Sequence, residues 1–156
     1  MKSLKVTIIN FEDQYTNNFT QLNFECLEKY FYIEEYDKKV LLNPQKYILD
    51  DGGNILFALI NNKVVGTVAL IKRENGVFEL SKMAVTEEYQ GLRIGQKLMY
   101  ACIDFAGRTG AKRLFLDSNT KLKPAISLYN KVGFREIPVP KETPYERCNI
   151  RMELFL

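Results

Sequence analysis

The sequence contains no histidine and no tryptophan, and only three of its 156 residues are cysteines. Without histidine the chain lacks the commonest general base and the commonest metal ligand, and no Ser-His or Cys-His pair can form. Cys26, Cys102 and Cys148 are widely spaced and form no Cys-x-x-Cys pair, which argues against a disulfide framework and against a zinc site. Acid–base chemistry must therefore use carboxylates, tyrosines, lysines or water, and no bound metal is expected.

Long apolar runs and basic blocks are also absent. No hydrophobic stretch reaches the roughly 18 residues of a membrane-spanning helix, and residues 1–5 lack the apolar core of a signal peptide. No block of five basic residues occurs, and the aromatic residues do not alternate with Lys and Arg, which disfavours a nucleic-acid partner. These absences predict a cytoplasmic protein that binds neither a membrane nor a nucleic acid.

The length and composition favour one folded domain spanning 1–156. With 46% hydrophobic and 26% charged residues, the chain can form one sizeable core but is too short for two domains of ordinary size. Residues 1–60 hold 6 Lys and 9 Asp or Glu, whereas residues 61–156 hold 16 Lys or Arg and 10 Asp or Glu. The C-terminal part is thus suited to an anion and the N-terminal part to a cation, although both charge excesses also suit solvated surfaces.

Apolar periodicity and turn residues divide the chain into helices and strands. Asn43-Pro44 favours a short helix that ends before Gly52, and Asn75-Gly76 favours a tight hairpin because both residues tolerate positive φ. The predicted helices cover 13–31, 43–51, 95–109 and 122–132, and the predicted strands cover 5–10, 55–60, 64–71, 77–85, 112–117, 134–137 and 147–156.

The most informative segment joins the fourth predicted strand to the helix that follows it. It reads Gln90-Gly91-Leu92-Arg93-Ile94-Gly95, a glycine-bearing turn at a helix N-terminus. Unpaired backbone N–H groups and the positive end of the helix dipole meet at such a point, which favours phosphate binding. The alternative is that these glycines only turn the chain into the helix.

This segment, together with Leu128-Tyr129-x-x-x-Gly133-Phe134 downstream, resembles the GCN5-related N-acetyltransferase (GNAT) family. The resemblance covers 54–137 by motif and the whole chain by element order. It implies an α/β (α+β) fold, with a mixed, mostly antiparallel sheet of six to seven strands that splays between its fourth and fifth strands, and with helices on both faces. The family's loop signature is Arg/Gln-x-x-Gly-x-Gly/Ala, so Arg93 replaces the middle glycine. An arginine costs little there if its φ is negative, and its guanidinium would add to phosphate binding.

The resemblance implies acetyl-coenzyme A as cosubstrate and an amine as acceptor. The main chain of 83–85 would pair with the pantetheine arm as an added strand, and Tyr129 would protonate the departing thiolate. Asn119 would lie near the pantetheine or the acceptor, although a helix cap is an equal alternative for Asn119 and a core-lining aromatic is the alternative for Tyr129. The residues expected at the coenzyme are Met83, Ala84, Val85, Gln90, Gly91, Leu92, Arg93, Ile94, Gly95, Gln96, Asn119 and Tyr129.

Glu79 is the second candidate catalytic residue. Period-two counting places it on the same face of its strand as Met83 and Val85. A carboxylate on an apolar strand must be solvated, paired or raised in pKa, and a raised pKa makes it a better base for an amine. A cross-strand ion pair is the alternative.

Two further segments are candidates for binding the acceptor. Acidic and aromatic residues between the first two predicted helices would attract an ammonium group. Tyr145 and Arg147 would bind an acceptor carboxylate. For both segments a solvated connection is the alternative. The residues of the first segment are Tyr30, Tyr32, Glu34, Glu35, Tyr36 and Asp37.

These observations leave three hypotheses about function. The first is an acetyl-coenzyme A-dependent N-acetyltransferase in which a primary amine attacks the thioester directly, with a small molecule favoured over a protein as acceptor. The second is a non-catalytic acyl-coenzyme A-binding regulatory module with the same fold. The third is an interaction protein whose glycines are purely structural. A monomer or a homodimer is expected.

Overall fold

The computed structural model describes residues 4–156, which form four α-helices and seven β-strands. Single helical turns, Asp13–Tyr15, Gln45–Leu49 and Glu87–Tyr89, connect some of them. The helices are α1 (Thr16–Tyr30), α2 (Glu35–Leu42), α3 (Ile94–Arg108) and α4 (Lys123–Val132). The strands are β1 (Thr7–Asn10), β2 (Asn54–Ile60), β3 (Lys63–Glu74), β4 (Val77–Val85), β5 (Arg113–Ser118), β6 (Arg135–Ile137) and β7 (Ile150–Phe155).

The seven strands form one mixed sheet in the order β1-β2-β3-β4-β5-β7-β6. Every neighbouring pair is antiparallel except β4 and β5, which are parallel. A parallel pair needs a crossover connection, and α3 supplies it here. The predicted α+β class and the mostly antiparallel sheet are confirmed.

The sheet splits between β4 and β5. These two strands pair only from Val77 to Glu79 on β4 and from Arg113 to Phe115 on β5. Beyond these residues β4 stays paired with β3 as far as Val85, and β5 stays paired with β7 as far as Ser118. The facing edges of β4 and β5 therefore diverge into a wedge, as the expected splay requires.

Helices cover both faces of the sheet and bury two separate apolar clusters. On one face α3 and α4 contribute Leu98, Cys102 and Tyr129 to a cluster with Leu80. On the other face α1 and α2 contribute buried side chains such as Phe19, which packs with β2 and β3. None of the helices within 4–156 has the length and apolar character needed to cross a bilayer.

A β-bulge in β4 changes which side chains face each cluster. Ser81 pairs with Ala69 and Ala84 pairs with Thr67, so two residues of β4, Lys82 and Met83, lie opposite a single residue of β3. Lys82 has φ = +55°, which is rare outside glycine. A bulge of this kind reverses the alternation of side chains along the strand.

The reversal corrects the expectation that Glu79 shares a face with Met83 and Val85. Phe78 and Leu80 pack in the cluster beneath α3, and after the bulge Met83 and Val85 pack against that same cluster. Glu79 alternates with Phe78 and Leu80, so its side chain lies on the α1–α2 face. Period-two counting was wrong here because it assumes an unbroken strand.

The segment between α1 and β2 also differs from the prediction of one short helix over 43–51. A full helix, α2, forms earlier because Glu34 and Asp37 make a reciprocal capping box at its N-terminus. Asn43, which precedes Pro44, has φ = −136° and ψ = 56° and ends α2. Gln45–Leu49 then forms only a single π-helical turn.

Candidate active site

The wedge between β4 and β5 contains a cavity of about 130 Å³. Side chains from α1, β4, β5, α4 and the 145–148 segment line it. Six of the residues expected from the sequence line this cavity although they are far apart in the chain: Glu79, Met83, Asn119, Tyr129, Tyr145 and Arg147. The structure thus brings both candidate catalytic residues to one place.

The loop that leads into α3 lies beyond the end of β4. Gly91 has φ = +87° and Arg93, the N-cap of α3, has φ = +60°. The first helical bond runs from Lys97 N–H to Arg93 O, and within 4–156 no hydrogen bond uses the N–H groups of residues 91–96. Left-handed residues in such a loop turn successive N–H groups toward one side, which forms an anion-binding concavity. The helix dipole of α3 adds positive potential at the same point.

Arg93 does not have the negative φ at which an arginine would cost little. Its φ of +60° lies in the left-handed region, where a side chain other than that of Gly, Asn or Asp costs of order 1 kcal/mol. The condition under which arginine would cost little at this position is therefore not met. A glycine, which the family signature has at this position, would adopt the same backbone without that cost.

Three elements converge beside this loop. The Gln90 side-chain amide donates to the Val85 carbonyl oxygen at 3.3 Å, which holds the loop against the end of β4. A Cβ built on Gly95 would lie 3.7 Å from a methyl of Leu128 on α4 and 3.9 Å from the sulfur of Met83 on β4. The first turn of α3 thus lies in ordinary van der Waals reach of both walls of the wedge.

Tyr129 is held in the wall of the cavity by the end of α4. Gly133 has φ = +116°, and both Gly133 N–H and Phe134 N–H donate to the Tyr129 carbonyl oxygen, at 3.2 and 3.0 Å. This left-handed cap turns the chain back, so the Phe134 ring packs 6.2 Å from the Tyr129 ring. The spacing of Tyr129, Gly133 and Phe134 in the sequence therefore has a direct structural cause.

The Tyr129 hydroxyl is suited to donate a proton. The residue is 8% exposed and lines the cavity, and no hydrogen bond within 4–156 involves its hydroxyl. Burial, with a smaller contribution from nearby Cys26, raises the pKa of Tyr129 to about 12. The phenol is therefore protonated at neutral pH, with its O–H available to a bound molecule.

Glu79 is paired with Arg73 from the neighbouring strand. Arg73 Nε and Nη2 lie 2.9 and 2.7 Å from the same oxygen, Glu79 Oε1. The Glu79 side chain is almost fully buried, and burial raises its pKa although the Arg73 charge opposes that shift. The ion pair is the alternative foreseen from the sequence, but Oε2 has no hydrogen-bond partner within 4–156 and keeps its capacity to accept a proton.

A buried network of charges borders the cavity, which Lys82, Tyr145 and Arg147 line. Lys82 Nζ is 2.9 Å from Asp37 Oδ1 and 2.6 Å from the Tyr145 hydroxyl oxygen. Arg147 Nη1 and Nη2 bind Asp37 at 2.7 and 2.8 Å, and Nη1 also binds Glu34 at 3.0 Å. The network joins the bulge of β4, the N-terminus of α2 and the segment after β6.

The pKa shifts in this network follow from burial and pairing. Burial alone would raise the pKa of Asp37, but the bonds from Arg147 and Lys82 outweigh it and hold that pKa below its usual value. Burial lowers the pKa of Lys82, and Asp37 partly offsets the effect. Lys82 was not among the expected site residues. Its one signal in the sequence is a lysine within a mostly apolar strand.

The network shows that charged groups expected to bind the acceptor are paired with one another instead. Glu35, Tyr36 and Asp37 belong to the first turn of α2 rather than to a connection, and Glu34 and Asp37 are already bound by Arg147. Neither carboxylate is free to attract an ammonium group, and Arg147 is not free to bind a carboxylate. Tyr30 and Tyr32 contact other surface groups: Tyr30 O accepts from Lys121 Nζ, and the Tyr32 hydroxyl donates to Glu146.

Asn119 uses its side chain within the protein. Its Nδ2 donates to Arg147 O at 2.7 Å, and its Oδ1 accepts from Lys121 N–H at 2.8 Å. Asn119 therefore forms the turn before α4 and ties it to the 145–148 segment. Throughout residues 4–156, no group of three or more Cys, Asp or Glu side chains is placed to hold a metal ion.

Comparisons with known proteins agree on one family. Residues 16–134 match the model of the acetyltransferase (GNAT) family. A probable N-acetyltransferase named camello from Xenopus tropicalis is 33% identical over 102 residues, 64% of this chain and 47% of that protein. The uncharacterized N-acetyltransferase YvbK from Bacillus subtilis (strain 168) is 30% identical over 105 residues, 65% of this chain and 68% of that protein. The match spans about half the length of the camello proteins of two Xenopus species.

Solved structures share the whole fold. An acetyltransferase of the GNAT family from Staphylococcus aureus Mu50 superposes with a TM-score of 0.87 at 26% identity, covering 97% of this chain and 99% of that one. An acetyltransferase from Streptococcus agalactiae 2603 superposes with a TM-score of 0.84 at 24% identity, covering 97% and 98%. At 24% identity, the match to the Streptococcus agalactiae structure shows similarity of fold alone.

Proposed function

Because this chain belongs to the acetyltransferase (GNAT) family, we propose that it transfers an acetyl group from acetyl-coenzyme A directly to a primary amine. Family membership supports an acyl-coenzyme A-dependent N-acetyltransferase. One observation carries it: the unpaired N–H groups of residues 91–96 lie at a helix turn that reaches Met83, and Met83 lines the same cavity as the unpaired hydroxyl of Tyr129.

The residues of the wedge fit an acyl-coenzyme A. The N–H groups of residues 91–96 would bind the pyrophosphate. A Cβ added at Gly91 would meet no atom within 4 Å, so the space next to this loop is open to a ligand. The edge of β4 at Met83, Ala84 and Val85 would hold the pantetheine amides, because this edge lacks a strand partner beyond Glu79. The coenzyme supplies an acyl thioester.

Two side chains then move protons. Glu79 Oε2 accepts the proton that the attacking amine loses, directly or through water, while Arg73 holds Oε1. Tyr129 donates its hydroxyl proton to the departing sulfur, because its pKa of about 12 keeps it protonated and its O–H has no competing partner within 4–156. The support for both roles is that the two side chains line the same cavity.

Direct transfer also agrees with the protonation state of the two thiols that line the cavity. Cys26 and Cys148 line the cavity, and burial raises the pKa of each thiol. Thiols rather than thiolates are poor nucleophiles. We therefore expect Cys26→Ser and Cys148→Ser to keep transfer activity, whereas an acetylated cysteine that forms and decays at the rate of turnover would contradict direct attack.

A binding module that does not catalyse transfer is the second candidate. The observation that favours it is the Glu79–Arg73 pair, which removes half of the carboxylate from catalytic use. Tyr129→Phe and Glu79→Gln separate the two functions. A transferase loses rate and keeps coenzyme affinity, whereas a binding module has no rate to lose.

The first experiment measures both properties on one sample. Coenzyme A at about 100 times its Kd should stabilise the protein by about 2.7 kcal/mol in chemical or thermal unfolding. Release of coenzyme A thiol from acetyl-coenzyme A in the presence of pooled amines then reports transfer. Stabilisation without amine-dependent thiol release supports the binding module, and the absence of both contradicts the proposed function.

A further inference from the structure

Tyr145 presents a fixed hydroxyl to the cavity that Glu79 and Tyr129 also line. The residue is 5% exposed and lines the cavity. Its ring meets Tyr36 edge-on with 5.3 Å between centroids, and the Arg147 guanidinium carbon lies 4.3 Å from its centroid. These contacts, together with the 2.6 Å hydrogen bond from Lys82 Nζ, fix the position of the phenol.

The direction of the Lys82–Tyr145 bond decides what this hydroxyl can do. A lysine ammonium has three donors and no acceptor, so the Tyr145 oxygen must accept in this bond. The fully buried Asp37 carboxylate, 2.9 Å from Lys82 Nζ, supplies the countercharge that keeps the ammonium ionised. No residue within 4–156 receives the Tyr145 proton, and burial, then the charges of Glu79 and Asp37, raises the pKa of Tyr145. Tyr145 is therefore a buried donor that faces the cavity without a partner.

Each charged side chain that lines the cavity is paired with a group of opposite charge. Asp37 and Glu34 are paired with Lys82 and Arg147, and separate pairs join Glu79 to Arg73 and Asp117 to Arg151. A second ammonium or a carboxylate on the acceptor would enter a buried site without a countercharge, which is strongly unfavourable. The site therefore suits an acceptor whose only ionisable group is the reacting amine.

The weak bases available in this chain favour acceptor amines of low pKa. The chain has no imidazole, so a carboxylate or water must take the proton of the ammonium form. An α-amine has a pKa of about 7.7–8.0 and an alkylamine about 10.4, so at pH 7 the neutral fraction of an α-amine is larger by roughly 300-fold. A weak base serves the α-amine much better.

Resting on the proposed function, we infer that the acceptor is an α-amino amide, an α-amine beside an uncharged carbonyl whose oxygen accepts the Tyr145 hydroxyl hydrogen. A free amino-acid amide and a peptide N-terminus share this chemistry. In the reaction the amine nitrogen bonds to the acetyl carbon while the carbon–sulfur bond breaks. The amine proton passes to Glu79 or water, and the sulfur receives the proton of Tyr129.

Acetylation kinetics with matched amines test the inference. The substrates are alaninamide, trialanine amide, alanine, n-propylamine and spermidine, each with saturating acetyl-coenzyme A. We expect kcat/KM for the two amides to exceed that for the other three. Equal values for the two amides indicate a free amino-acid amide, and a higher value for trialanine amide indicates a peptide N-terminus. Both outcomes support the inference, whereas preference for spermidine or alanine overturns it.

The Tyr145→Phe variant tests the hydrogen bond separately. The ratio of kcat/KM for alaninamide to that for n-propylamine should fall by roughly tenfold, the effect of one hydrogen bond to an uncharged group. The ratio cancels differences in amine pKa and any general loss of activity. Tyr100→Phe, at an exposed position on α3, is the matched control and should leave the ratio unchanged. An unchanged ratio in Tyr145→Phe overturns the inference.

The two proposals fail in different ways. If the protein binds coenzyme A but acetylates none of the five amines, the proposed function is overturned and this inference with it. If it acetylates n-propylamine or spermidine as well as it does alaninamide, the transferase function stands and only the acceptor class is wrong. The preference of the unmodified protein decides the matter even if Tyr145→Phe fails to fold.

Discussion

Arg147 binds Asp37 through two nitrogens, at 2.7 and 2.8 Å, although 110 positions separate them in the chain. The Asp37 side chain is completely buried, and the same carboxylate also binds Lys82. This contact anchors the segment after β6 to the first turn of α2, and that segment lines the cavity through Tyr145, Arg147 and Cys148.

Asp37→Asn should destabilise the protein by about 3–5 kcal/mol. The change leaves Lys82 and part of the Arg147 charge buried without a countercharge, which costs more than the pair itself contributed. Urea unfolding measures the loss. Glu35→Gln, an exposed site on the same helix turn, is the control and should change the stability by no more than about 0.5 kcal/mol. Equal effects of the two variants would show that the buried network is unimportant.

The same carboxylate should shape the acid stability. The pKa of Asp37 is lower in the folded than in the unfolded state, so its contribution is present above the unfolded value of about 3.9 and is lost as pH falls through the folded pKa. Urea midpoints measured between about pH 6 and pH 3 should fall steeply in the native protein at the acidic end. In Asp37→Asn this part of the slope should be shallower, and an unchanged slope would contradict the assignment.

Tyr129→Phe should lower kcat by about 100-fold, the lower range for loss of a general acid, with coenzyme affinity changed by less than about threefold. Because the pKa of Tyr129 is about 12, its acid form is lost only as pH rises through that value. Activity of the native protein should therefore show no decline from this group between about pH 7 and pH 10.5. A descending limb within that range that disappears in Tyr129→Phe would require a much lower pKa.

Gln96→Glu should weaken coenzyme A binding about tenfold without loss of stability. Gln96 is the third residue of α3, where a carboxylate favours the helix but repels a pyrophosphate bound at the same N–H groups. The repulsion should shrink in about 1 M salt. Asn18→Asp, at the exposed third residue of α1, is the matched control and should leave affinity unchanged. Unchanged affinity in Gln96→Glu would place the pyrophosphate elsewhere.

Arg93→Gly should stabilise the protein by about 0.5–1 kcal/mol. Glycine relieves the left-handed backbone at φ = +60°, although it adds freedom to the unfolded chain. Lys97→Gly, one turn later on the exposed side of α3, is the control and should destabilise by about 1 kcal/mol because glycine weakens a regular helix. Unfolding of both variants in denaturant checks the sign. Destabilisation by both would mean that the Arg93 side chain contributes contacts worth more than the strain.

Sequence patterns located the turn before α3 and the helix end that carries Tyr129 because local chemistry fixes both. A glycine-bearing turn before a helix leaves N–H groups unpaired whatever surrounds it, and Gly133 as a left-handed cap brings Phe134 back onto Tyr129 within one short segment. The turn residues and apolar periodicity also gave most strands, although α2 was missed because its capping box lies in an acidic stretch that resembles a solvated connection.

The face of Glu79 and the role of Lys82 were not available from such patterns. A bulge depends on the pairing of β4 with β3, and one extra residue moves every later side chain to the opposite face. Likewise, the acidic residues at 34–37 suggested a cation site, but Arg147, far away in the sequence, pairs with the two buried carboxylates, Glu34 and Asp37.

The amino-acid sequence by itself determined the order of elements, the glycine-bearing turn before α3 and the capped helix that carries Tyr129, because each depends on residues within a few positions of one another. Only the tertiary structure decided which charges are paired and which donor remains unpaired in the cavity. Those outcomes depend on contacts between segments 45 to 113 positions apart, where strand register and burial rather than local preference set the energy.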